Sequence, residues 1–187
     1  MKRDNLRRAL LSLDLSDGSH EAGHRQRMVE LLDSCPNCFQ RNAFPAHFTG
    51  SAFVISADGE HALLHHHRKL DRWLQFGGHC DGEPDVLAVA QREALEESGI
   101  EGLLIASERP FDLDIHEIPA IGGEPPHQHF DVRYVLIAPE NAEFRTSSES
   151  HEVRWFTAGE MDQLDLDTGL RRLLIKWEAL LARHSGD

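Results

Sequence analysis

The segment from Pro84 to Ser98 constrains the fold more than any other stretch. Proline suits a first helical turn, where its missing N–H costs nothing, and Gly99 suits the position just past a helix end. The pattern therefore predicts a helix over residues 84–98. Side chains three and four residues apart share a helical face, so Glu93, Glu96 and Glu97 converge within about one turn. At roughly 100° per residue, Glu93 and Glu97 lie on either side of Val86 and next to Ala90, the positions expected to face inward. A solvated acidic stripe would sit opposite the apolar face; this one overlaps its edge. Like charges at this spacing repel, so the helix needs a compensating cation. Magnesium prefers hard oxygen ligands and keeps several waters, which leaves room for phosphate oxygens. Arg92 can reach a carboxylate and hold it in place.

The pattern around this helix is mixed α and β. Residues 1–33 read as helical, with a break at Asp17-Gly18, and Pro36 stops the second piece. Strand patterns run over Phe48 to Ser56 and Ala62 to His66, with Asp58-Gly59 as the turn between them. Further strand candidates are Gly102 to Ala106, Phe111 to Ile118, Phe130 to Ala138 and Glu152 to Phe156. A final helix is expected from Thr168 to Arg183, with Leu170, Leu173, Leu174, Trp177, Leu180 and Leu181 as its apolar stripe.

A chain of 187 residues fits one domain with a small helical extension. Its net charge of -13 argues against stable nucleic-acid binding, which needs clustered Lys and Arg. An acidic protein still binds a phosphorylated small molecule when a divalent cation supplies the positive charge. The N-terminal MKRDNLRRALLSL lacks the apolar core of a signal peptide, and no stretch approaches a membrane span. Three cysteines do not suggest a disulfide framework, and a reducing cytoplasm is the expected compartment. A homodimer is the default assembly, dimers being commonest.

Gly78, Arg92-Glu93, Glu96-Glu97, Gly99 and Ile100 together resemble the Nudix box, a glycine loop followed by a glutamate-rich helix, here from Gly78 to Ile100. One position departs: Pro84 stands where the family has a glutamate, with Glu83 before it and Asp85 after it. Phe48-Thr49-Gly50-Ser51-Ala52, His66-His67-Arg68-Lys69-Leu70, the Gly77-Gly78-His79-Cys80-Asp81-Gly82 loop and His127-Gln128-His129-Phe130-Asp131 are similar to one Nudix subgroup. The resemblance implies an α/β fold, an α/β/α sandwich around a mixed β-sheet, at residues 38–187, with residues 1–37 as an N-terminal helical extension. It implies a hydrolase that cleaves the diphosphate linkage of a nucleoside diphosphate joined to another moiety, such as ADP-ribose or a nucleotide sugar. Carried onto this chain, Glu93, Glu96, Glu97 and the Gly78 carbonyl become ligands of Mg2+ or Mn2+. Glu96, Glu97 and Arg92 become the catalytic group.

Other residues carry candidate roles. His127, His129 and Asp131 alternate, so in a strand they point to one side, as a second metal site or a clamp on substrate phosphates. Arg68 and His79 are further candidates for substrate phosphate. Glu149 and Glu152 could supply a late base or ligand; the alternative is a salt bridge with Arg154. Trp73, Phe53 and Tyr134 can stack on a base, although buried packing is the commoner use of aromatics. Cys35 and Cys38 have pair spacing but no second pair to complete a zinc site. Two other functions are weighed. A prenyl-diphosphate isomerase would depend on Cys80, and a non-catalytic nucleotide-binding module would bind without turnover.

Overall fold

The computed structural model describes residues 2–120 and 123–184. In chain order the elements are α1 (Lys2–Leu11), α2 (His20–Ser34), β1 (Ala46–Ile55), β2 (Ala62–His67), β3 (Arg72–Leu74), β4 (Phe76–His79), α3 (Val86–Ser98), β5 (Leu104–Ile105), β6 (Asp112–Ile118), β7 (His127–Ile137), β8 (Ser150–Phe156), α4 (Ala158–Asp162) and α5 (Thr168–His184). This is the expected α/β class. Two compact units share the chain. The first takes the described residues of Met1–Ser51, Gly77–Ala90 and Ser107–Tyr134; the second takes those of Ala52–Phe76, Gln91–Ala106 and Val135–Asp187.

In the first unit, α1 and α2 bury Leu6 and Leu10, and Met28 and Leu32. Ser19 caps α2 by accepting the Ala22 amide at 3.1 Å, which satisfies one donor that a helix start otherwise leaves orphaned. The helix packs on β6, where the buried His24 Nδ1 meets the Leu113 carbonyl at 2.9 Å. β6 pairs antiparallel with β7 from Asp112↔Arg133 to Ile118↔His127. β7 and β4 both pair with β1.

The first unit also holds the start of α3. The sequence pattern places Pro84 in the first helical turn, whereas the helix begins at Val86. Asp85 explains the difference. Its Oδ1 accepts the Ala88 amide at 3.3 Å, and a carboxylate that accepts such an amide satisfies the helix start. Pro84 therefore lies outside the helix.

In the second unit, β2 pairs antiparallel with the end of β1 and with β3, and with β8 along its length. β5 pairs with the last residues of β7. α5 buries Leu170, Leu173, Leu174 and Trp177, as its stripe predicts. Each such side chain contributes about 1.5–3 kcal/mol on burial. Trp177 packs edge-on against Phe53 at 5.7 Å and donates Nε1–H to the Gly59 carbonyl at 2.9 Å. No helix among the described residues is long and apolar enough to cross a membrane.

Candidate functional site

The carboxylate helix carries its candidates in the second unit, on the last two turns of α3. Glu97 is buried, at 8% exposure, while Glu93 is half-buried and Glu96 exposed. Ala94, on the turn between them, is fully buried. The wheel argument thus holds for this face: Glu93 and Glu97 share it with a buried alanine. Arg92 reaches Glu93, Nη2 to Oε1 at 2.5 Å, and fixes that carboxylate. The helix end is held from both sides. Ser98 Oγ donates to the Ala94 carbonyl at 2.6 Å, and the Gly99 amide donates to the Leu95 carbonyl at 2.8 Å. Gly99 has φ +69°, the left-handed cap that glycine adopts without strain. Carboxylate oxygens are the hard donors that Mg2+ or Mn2+ takes, and α3 carries three such side chains, of which Glu97 is buried and Glu96 exposed.

Arg68 belongs to the same unit and is exposed, but its guanidinium faces the chain. Nε donates to the Ser148 carbonyl at 3.1 Å and Nη2 to the Ser150 carbonyl at 2.8 Å. Glu149 and Glu152 are exposed, and Arg154 pairs with Glu160 at 2.7 Å instead of with either of them. Trp73 packs against Phe156 and His66, and Phe53 is fully buried.

The first unit gathers a different group. Alternation along β1 puts His47, Thr49 and Ser51 on one face, and along β7 His127, His129, Asp131 and Arg133. Register adds Asp112, Asp114 and His116 from β6, opposite Arg133, Asp131 and His129. This polar layer is buried except at its rim, where His129 is half-buried and His116 exposed. Arg133, 3% exposed, meets Asp131 at 2.7 Å, Asp114 at 3.0 Å and Asp112 at 3.3 Å. Asp131 also accepts the Thr49 and Ser51 hydroxyls at 3.0 and 2.8 Å. Its oxygens are therefore engaged inside the protein.

The expected alternation of His127, His129 and Asp131 is present, and His79 joins them. The His79 ring packs at 5.2 Å from His47 and 5.0 Å from His129, and its Nδ1 takes a contact from Arg41 at 2.9 Å. His47, His116, Asp112, Asp114 and Arg133 of this layer are not singled out by the sequence. His47 falls one residue before the strand pattern starts, though it alternates with Thr49 and Ser51. Burial pushes the imidazoles down: His47 to about 4 and His129 to about 2, with neighbouring histidines lowering both further. Gly78 lies in β4 and is half-buried. Cys80 and Tyr134 are buried, and burial raises the Tyr134 phenol. Cys38 is buried as well, its thiol pushed up to about 11. A cavity of about 440 Å³ opens where Lys2 and Arg8 of α1 face Pro84, Asp85, Glu108 and Tyr134.

The family model for the NUDIX domain matches residues 46–177. No curated protein matches the chain. Among solved structures, an Ap4A hydrolase from C. elegans, in a binary complex, is 21% identical with a TM-score of 0.58, covering 72% of this chain and 97% of that one. A NUDIX-family hydrolase from Clostridium perfringens is 24% identical with a TM-score of 0.51, over 72% and 97%. A Nudix hydrolase from M. smegmatis is 20% identical with a TM-score of 0.55, over 73% and 86%. The chain belongs to the NUDIX family, and it is an enzyme of that family's class, a pyrophosphohydrolase.

Proposed function

We propose that the protein hydrolyses the diphosphate linkage of a nucleoside diphosphate joined to a second moiety, with ADP-ribose and nucleotide sugars as the substrate class. The observation that carries this reading is the buried Glu97 beside the half-buried Glu93 on the last turns of α3. Glu93, Glu96 and Glu97 would hold Mg2+ or Mn2+. When bound, the cation neutralises the diphosphate and stabilises charge developing on the leaving oxygen. Arg92 keeps the Glu93 carboxylate in one orientation, so no rearrangement is needed as substrate arrives. Glu97, on the buried side, or Glu96 beside it is the carboxylate that would take a proton from attacking water.

The test is a substrate panel of ADP-ribose, nucleotide sugars, dinucleotide polyphosphates and nucleoside triphosphates. Each is incubated with Mg2+, with Mn2+ and with chelator, and products are identified by mass. Cleavage between the two phosphorus atoms of a nucleoside diphosphate derivative, abolished by chelator, is the expected result. Cleavage confined to triphosphates or dinucleotide polyphosphates would overturn the substrate class, and activity that survives chelation would overturn the role of the helix.

A further inference from the structure

We infer that His47, His127 and His129 form a second metal site, separate in chemistry from the carboxylate helix, that holds one divalent transition-metal ion of the zinc class. Among the described residues, these three are the group whose ligand atoms lie close enough together, all within 4.8 Å of one another. Three imidazole nitrogens are the donor set of borderline-soft ions such as Zn2+ and disfavour Mg2+, which takes oxygen. Zn–N bonds of about 2.0–2.1 Å in tetrahedral geometry put ligand nitrogens roughly 3.3 Å apart, so binding draws the rings inward by about an ångström.

The rings themselves point to a missing partner. His47 is 1% exposed, and neither of its ring nitrogens meets a hydrogen-bond partner with good geometry; His129 Nε2 is likewise buried without one. A buried polar nitrogen left unpaired costs about 1–3 kcal/mol, and an ion ligated by His47 and His129 removes that cost at one nitrogen of each ring. His127 is already oriented for ligation. Its Nδ1–H donates to the Pro125 carbonyl at 2.8 Å, which leaves the Nε2 lone pair free of a proton.

On the same face, Arg133 meets three carboxylates, Asp112, Asp114 and Asp131. His79 stands beside the site without being a ligand. Its Nδ1 accepts from Arg41, so a neutral ring carries its proton on Nε2. Three protein ligands leave a fourth position for water or a ligand oxygen, the arrangement of open zinc sites.

The test uses the full chain stripped of metal by chelator. It is titrated with Zn2+ by calorimetry, and bound metal is counted after gel filtration. One Zn2+ per chain is expected, with excess Mg2+ failing to compete. Co2+ should give the visible absorption of a tetrahedral nitrogen site, bleached by Zn2+. His129→Gln and His127→Gln should each weaken Zn2+ by about 100-fold or more, as loss of a metal ligand does. Far-UV circular dichroism checks that both remain folded, so the result does not rest on the more buried His47. Glu97→Gln and Cys35→Ser should bind Zn2+ as the parent does. Absence of stoichiometric Zn2+, unchanged affinity in both histidine variants, or loss of Zn2+ in the Glu97 or Cys35 variant would each overturn the proposal. Neither outcome bears on Mg2+-dependent hydrolysis, which the substrate panel reads separately.

Discussion

Arg133 donates from Nε to Asp131 at 2.7 Å, two residues away on the same face of β7, at a place where both side chains are buried. The pair adds charge to a strand face that already carries His127 and His129. Removing the guanidinium leaves three carboxylates without their cation, and breaking a buried ion pair from one side costs about 3–5 kcal/mol. Arg133→Met should lower the unfolding free energy by that amount in urea titration at pH 7. A loss below about 1 kcal/mol would mean that the carboxylates find other partners.

Glu97→Gln keeps the size and shape of a buried side chain on α3 while removing its charge. Turnover with Mg2+ should fall by at least about a hundredfold, as expected for loss of a ligand or base in a metal site. The melting temperature should stay close to the parent's. Near-normal turnover in the folded variant would remove the proposed role of this face.

The carboxylate helix was legible in the sequence because its evidence is local: spacing, a terminal glycine and apolar neighbours within one turn. The polar layer was only half legible. His127, His129 and Asp131 lie in one strand and could be read by alternation, but Asp112, Asp114 and His116 reach them through the β6–β7 register. A register slip of one residue would turn every one of those side chains to the other face, and nothing local fixes it. The strand pattern starting at Phe48 also left out His47, although β1 begins at Ala46. The short helix α4 was missed despite a readable signal. Thr157 and Glu160 form a capping box, a Thr-x-x-Glu that marks a helix start.

His65 supplies a pH-dependent contribution to stability in the second unit. It is buried, with Nδ1 on Ser150 Oγ at 2.8 Å, and burial pushes its pKa down to about 4. An unfolded histidine titrates near 6.5. Between about pH 6.5 and pH 4 the unfolded chain therefore binds a proton that the folded chain refuses, so stability is full above pH 6.5 and falls as the pH drops through that window. The slope from one such group reaches about 1.4 kcal/mol per pH unit. Urea titrations of metal-free protein between pH 7 and pH 4.5 should show a shallower decline in His65→Gln than in the parent. Parallel curves would mean that His65 does not titrate differently on folding.

Gly50 tests the packing at the start of α3, and Gly23 in α2 is its open control. A Cβ at Gly50 would sit 2.7 Å from the Val86 carbonyl oxygen, 3.0 Å from Val86 Cγ1 and 3.2 Å from Val89 Cβ. The nearest atom is backbone, in the first turn of the helix, and it cannot rotate away as a flexible side chain would. Gly50→Ala must move β1 or the helix start, and overpacking of this kind costs about 1–3 kcal/mol. Gly23 lies inside α2, where an added Cβ meets nothing within 4 Å. Alanine there only narrows the unfolded chain's freedom, so Gly23→Ala should stabilise by about 0.5–1 kcal/mol. Thermal melts should move in opposite directions for the two variants, down for Gly50→Ala and up for Gly23→Ala. A stabilised or unchanged Gly50→Ala would show that β1 and the first turn of α3 have slack, because a rigid contact at 2.7 Å leaves no room for a methyl group.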